Sequence, residues 1–162
     1  MRDAAQVTQD DMAQELSIQE RLYPQLTCFG CGHANAKGLK LRSYPGDGFV
    51  TAAFEPWPEH DNGFGFLNGG IIATVLDCHS GAAVFHQAHL LGMAPPPDSP
   101  LLYVTAGLDL RDLRPVPLGQ TLDLRAVVAS ADDDQVTVEA ELVWDGKTRA
   151  NATTLWKRWR PR

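Results

Sequence analysis

The stretch from Ile71 to about His89 is long enough for a helix of about five turns, and it is apolar on nearly every side. Ile71, Ile72, Ala73, Val75, Leu76, Ala82, Ala83, Val84 and Phe85 leave no polar stripe, so such a helix must be covered by protein all round. A sheet wrapped around it is the simplest cover. One residue breaks the apolar pattern: Asp77, a carboxylic acid among Val, Leu and Ala, placed eight positions after the first glycine of the pair Gly69-Gly70.

The remaining segments supply that sheet. Asp10 or Asp11 can cap a first helix with Met12, Leu16 and Leu22 at helical spacing, and Pro24 ends it. Residues 39–44 and 49–55 alternate as strands, and Pro45-Gly46-Asp47-Gly48 between them turns the chain into a hairpin. Residues 56–68 are rich in Gly, Pro, Asp and Asn and read as a loop. After the Pro95-Pro96-Pro97 connection come about four β-rich runs with short turns at 115–119, 131–134 and 145–147, which predict an antiparallel meander. Helices and strands are segregated rather than alternating, so the fold class is α+β. A lone sheet leaves part of the helix and one edge uncovered, which predicts self-association.

With 162 residues the chain suits one domain with a full core. A net charge of −6 argues against nucleic acid, which needs a basic field to displace counterions. No apolar stretch approaches the roughly 20 residues of a bilayer span, and the N-terminus lacks a basic start with an apolar run. We therefore expect no membrane partner and a cytoplasmic setting, with Cys28, Cys31 and Cys78 as reduced thiols. Cys28, Cys31 and His33 have zinc-like spacing, but a closed site needs a fourth ligand. No second C-x-x-C follows, and Cys78-His79 can complete the set only if the helix approaches this loop. No metal and no cofactor are expected.

Order and motifs together resemble the hotdog-fold acyl-CoA thioesterases, in the branch typified by the phenylacetic-acid pathway and 4-hydroxybenzoyl-CoA enzymes. That branch carries H-x-N-G, then H-G-G, then a helix with an acid eight positions after the first glycine of the pair. Here His60, Asn62 and Gly63 match the first element, Gly69 and Gly70 the second, and Asp77 the third. The C-F-G-C-G-x-x-N-x-x-G-L entry at 28–39 and the R-P-V-P-L-G turn at 114–119 also match. Asn68 departs from the pattern, standing where the family usually has histidine. The resemblance implies a hotdog domain over 27–162, an antiparallel sheet wrapped around a long central helix, preceded by a helical extension over 1–26. It also gives the cysteine loop as packing and turn chemistry rather than a metal site.

Thioester hydrolysis needs a carboxylate that attacks or activates water, and a donor for the carbonyl oxygen as it becomes negative. Asp77 suits the first role, and the amide of Gly69 or Gly70, unpaired at the positive end of a helix, suits the second. The two lie on the order of 12 Å apart along one helix, too far to serve one carbonyl. The resemblance implies a site shared between two chains of a homodimer or homotetramer. It further implies an acyl-CoA substrate, with Asn62 and Asn68 positioning the thioester and His60 and Gly63 in the binding loop; CoA phosphates seek basic groups at the rim, for which Arg111 and Arg114 in the R-D-L-R-P turn are the candidates. Lys147, Arg149, Lys157, Arg158 and Arg160 are outer alternatives. Each of these polar residues also has a plain role, Asn and His as loop braces and the cations as solvated charge. Ser80 lacks a nucleophile elbow. A non-catalytic module that binds acyl-CoA or a hydrophobic carboxylate is the alternative from another class.

Overall fold

The computed structural model describes residues 16–96, 98–160 and 162. Asp10, Asp11 and Met12, expected to start the first helix, and Pro97 of the proline connection lie outside these residues. The described helix α1 spans Ile18–Leu22. A capping box starts it: Ser17 Oγ accepts from the Glu20 N–H at 3.2 Å while Ser17 N–H donates to Glu20 Oε2 at 3.1 Å. Ile18 is 1% exposed within the main core, and the Gln19 amide exchanges hydrogen bonds with Ser43. Leu22, Tyr23 and Leu26 pack against the same core.

The hairpin is present but shorter than its pattern predicts: β1 covers Ser43–Pro45 and β2 covers Val50–Phe54. The reason lies in the backbone. Leu39 and Leu41 donate their N–H groups to Phe29 and Gly30 of the cysteine loop, and Lys40 between them has φ +53°. Those groups are not available to a ladder.

The long helix α2 runs Gly69–Leu90, two residues earlier than the apolar pattern suggests, because Asn68 caps it. It lies against a six-stranded sheet completed by β3 Tyr103–Asp112, β4 Leu122–Ala131, β5 Gln135–Trp144 and β6 Lys147–Arg158. Every neighbouring pair is antiparallel, in the order β1-β2-β4-β5-β6-β3. Only β4, β5 and β6 form the expected meander. The first run of the four, β3, crosses to the far edge beside β6 and leaves β4 to pair with β2. This is the α+β hotdog arrangement, a sheet wrapped around one helix.

Three contacts fix the helix in the sheet. Val75, Leu76 and Val84 are at most 1% exposed. Gly81 lets the Trp156 ring lie on the helix, since a Cβ there would stand 2.7 Å from Trp156 Cη2. His79 Nε2 lies 3.1 Å from the Val50 carbonyl, which can only accept, so Nε2 carries the proton and Nδ1 accepts from Ser43 Oγ at 2.9 Å. Burial pushes the His79 pKa down to about 4. Among the described residues no helix is long and apolar enough to cross a membrane.

Candidate active site

Asp77 sits on the third turn of α2, facing strand β3. Its Oδ1 accepts from the Thr105 hydroxyl at 2.8 Å, and it pairs with no cation among the described residues. Burial raises its pKa; the Thr105 bond opposes this, and the Cys28 charge adds to it. The carboxylate borders an apolar cavity of ≈ 230 Å³ whose walls include Tyr23, Phe85, Leu101 and Trp156. Thr105 carries no motif that marks it. The usable signal is Gly107 inside a strand pattern, which marks the bulge found between Thr105 and Gly107.

Gly69 opens onto a different cavity, of ≈ 370 Å³, lined also by Asn62, Phe66, Ile72, Asp112 and Arg114 among others. The two glycine amides are not equivalent. Gly70 N–H is taken by Asn68 Oδ1 at 2.8 Å, the N-cap bond of α2, whereas Gly69 N–H meets no acceptor among the described residues. Asn68, where the resemblance puts histidine, thus closes one of two expected donors and leaves the other. Asp112 was not anticipated: its carboxylate lies near Gly69, with Oδ2 3.8 Å from where a Cβ would stand.

The loop before the helix is organised by its own side chains. Asn62 Oδ1 accepts from Phe64 N–H at 2.9 Å and Phe66 N–H at 3.3 Å, and the residue borders the cavity. Gly63 has φ +90° and Gly65 φ +82°, which the turn requires; a Cβ at Gly63 would meet nothing within 4 Å. Phe66 bridges to Pro117 and Leu67 N–H donates to Val116 O, so the H-x-N-G loop and the R-P-V-P-L-G turn form one wall.

Two expected contact residues stand elsewhere. His60 is 7% exposed and stacks between Trp57 and Phe54, with Nδ1 accepting from Trp57 N–H at 3.0 Å. Burial lowers its pKa. The ring braces the loop and faces neither cavity, because its aromatic neighbours and its one acceptor are all satisfied inward. Arg111 is exposed on β3 beside Asp109 and outside the Gly69 cavity, since strand alternation turns it away from Asp112. Arg114 does line that cavity. Arg149 stacks on Trp144 and donates to Pro115 O, bracing the turn.

Cys78 also approaches the cysteine loop, with its sulfur 3.7 Å from Cys28 Sγ. His33 lies 3.6 Å from Glu20 instead. Ser80 Oγ donates to the Asp77 carbonyl and accepts from Trp156 Nε1, a packing role.

An apolar helix inside an antiparallel sheet, with an acid facing one cavity and an open helix-terminal amide facing another, defines a hotdog protein of the thioesterase type. The model of the Thioesterase superfamily matches residues 64–152, more than half of the chain, and the chain belongs to that family. No curated protein matches it. Among solved structures it is similar to a Thioesterase superfamily protein from Shewanella loihica PV-4, at 28% identity and TM-score 0.59, covering 79% of this chain and 98% of that one. It is also similar to the E. coli PaaI protein from the phenylacetic acid degradation operon, at 22% identity and TM-score 0.62, covering 78% and 85%. A further thioesterase superfamily protein matches at 24% identity and TM-score 0.64, covering 80% of this chain; the chain spans 62% of its length.

Proposed function

We propose that the chain hydrolyses an acyl-CoA thioester to free acid and CoA, with Asp77 of one copy and the Gly69 amide of a second copy acting on one carbonyl. The observation that carries this reading is Asp77: a half-buried carboxylate at an apolar cavity, held by a neutral hydroxyl rather than by a cation. Such a group is a better base than a solvated aspartate, because burial raises its affinity for a proton.

In this scheme Asp77 takes a proton from water as the water adds to the carbonyl, or adds to it directly to form a mixed anhydride that water then hydrolyses to the free acid and Asp77. The negative charge that develops on oxygen is met by Gly69 N–H at the positive end of α2. CoA leaves as its thiolate without a strong acid, since a thiol of the cysteine type has a pKa of only ~8.5, and then takes up a proton. The acyl group enters the cavity beside Asp77. The pantetheine arm follows the Gly69 cavity past Asn62, with Arg114 toward the phosphates. Gly70 and Asn68 hold the helix start, and His60 and Gly63 hold the loop.

Two copies meet in this reading because neither cavity contains both groups. The edge strand β3 exposes Val104 and Leu108, and Leu113 follows it, which leaves apolar surface for a partner in a homodimer or homotetramer. Three free cysteines suit a reducing, cytoplasmic setting. The test is thiol release from short, long and aromatic acyl-CoAs. Saturable release that disappears in Asp77→Ala supports the reading. Unchanged release in Asp77→Ala overturns it, and saturable binding without release by the intact protein makes the chain a binding module.

A further inference from the structure

Neither the hydrolysis nor the core uses the polarity of the three sulfurs that meet where the 28–31 loop touches α2. All three Sγ atoms lie within 4.8 Å of one another. Cys28 and Cys78 are 3.7 Å apart, and sulfurs around a tetrahedral zinc with bonds of 2.3 Å stand about 3.8 Å apart. The cysteines are free, and this separation is far beyond the roughly 2.05 Å of a disulfide.

The surrounding backbone is shaped for the approach. A Cβ on Gly30 would stand 2.3 Å from Cys78 Sγ, so only glycine lets the helix sulfur reach the loop. A Cβ on Gly32 would stand 2.4 Å from Cys28 N, and Gly32 N–H donates to Cys28 O at 2.8 Å, which closes the C-x-x-C segment into a tight knuckle. The strand side pins it further through the Leu39 and Leu41 amides.

We propose that Cys28, Cys31 and Cys78 form a three-thiolate site for a thiophilic d¹⁰ cation of the Zn²⁺ type. Binding replaces the S–H protons of the ligating thiols, which pass to solvent, and forms three metal–sulfur bonds. The fourth position faces the ≈ 230 Å³ cavity, on which all three cysteines border. His33 and His79 are not ligands: the first pairs with Glu20, and both nitrogens of the second are engaged by Ser43 and Val50. The ligand set therefore joins the loop to the helix one residue after Asp77, which the C-x-x-C-x-H spacing alone does not suggest.

The test uses the full chain, reduced and stripped with a chelator, titrated with Co²⁺ and then Zn²⁺. We expect one Co²⁺ per chain, with sulfur-to-cobalt charge-transfer absorption and intense tetrahedral d–d bands, displaced by Zn²⁺. His33→Ala should keep the bands, and Cys78→Ser should lose them while the far-ultraviolet spectrum is retained. If Cys78→Ser does not fold, the partly exposed Cys28→Ser takes its place; if neither folds, the wild-type cobalt spectrum decides. Absence of charge-transfer absorption in the reduced wild-type chain overturns the proposal, as does its loss in His33→Ala with retention in the folded cysteine variant. The readout is independent of thioester hydrolysis, so either reading can fail alone.

Discussion

The Thr105 hydroxyl donates to Asp77 Oδ1 at 2.8 Å across the gap between β3 and α2. That bond fixes the direction of the carboxylate and offsets part of the cost of its burial, because a hydrogen bond to a charged group contributes roughly 1.5–3 kcal/mol. Thr105→Val keeps the shape and removes the donor. The expected result is a fall of about tenfold in kcat for acyl-CoA hydrolysis with KM little changed, since 1.4 kcal/mol is a factor of ten. Thr105→Ser should restore most of the rate. A loss of KM alone, or no rescue by serine, would make Thr105 a packing residue.

Asn68 divides the two glycine amides, and its role can be separated from theirs. Asn68→Ala removes the cap and should lower stability by about 1 kcal/mol, read from the urea midpoint. Asn68→Asp keeps an acceptor for Gly70 N–H and adds a charge that favours the helix start, so stability should hold or rise. The same charge next to a developing oxyanion should slow hydrolysis. Equal activity in the Asn and Asp proteins would place the oxyanion away from this helix end.

Protonation of His79 opposes folding. Its folded pKa of about 4 lies below the ordinary value of 6.5, so between these limits the unfolded chain binds more protons than the folded one. Stability should therefore fall as pH drops below ~6.5 and continue to fall toward pH 4, by a total on the order of 3 kcal/mol. Burial of His60 acts in the same direction. Urea midpoints measured from pH 7.5 to 4 check this. His79→Gln should be less stable at neutral pH and show a flatter slope; an unchanged slope would assign the acid sensitivity to other groups.

Most of the fold was legible because its main determinant is local. An apolar helix with no polar face can only be central, and the turns at 45–48 and 145–147 are written in Gly, Pro and Asp; Asp145 and Gly146 indeed have φ of +52° and +66°. The position of β3 was not legible. Its alternation resembles that of any strand in a meander, and only the pairing with β6 places it at the edge. Asp77 and the glycine pair are readable as a spacing, and Arg114 as part of a turn. His60 stayed open between contact and brace because a histidine in a polar loop looks the same whether it faces ligand or stacks on Trp57. Thr105 was missed because it meets Asp77 only through a contact distant in sequence, and Cys78 was readable only as conditional on the helix approaching the cysteine loop.

The backbone around Gly69 allows a direct test of the amide and of the two-chain site together. Gly69 is the first residue of α2, where proline is well tolerated, and Asn68 before it has φ −63° and ψ 134°, the extended conformation that a residue preceding proline prefers. Among the described residues the only atom within 4 Å of a Cβ there is Asp112 Oδ2 at 3.8 Å. Gly69→Pro should therefore fold and assemble while lacking the one amide hydrogen at issue, and the loss of an oxyanion donor should lower kcat by about 10²–10³. Asp77→Asn should be similarly impaired. If each site takes Asp77 from one chain and Gly69 from another, refolding the two variants together gives mixed dimers with one intact site and one doubly defective site. A random mixture should recover about a quarter of the wild-type rate, set by the two-fold pairing of chains. Recovery indistinguishable from the separate variants would mean that both groups act within one chain or that Gly69 is not the donor. Full activity in Gly69→Pro alone would exclude its amide from the reaction.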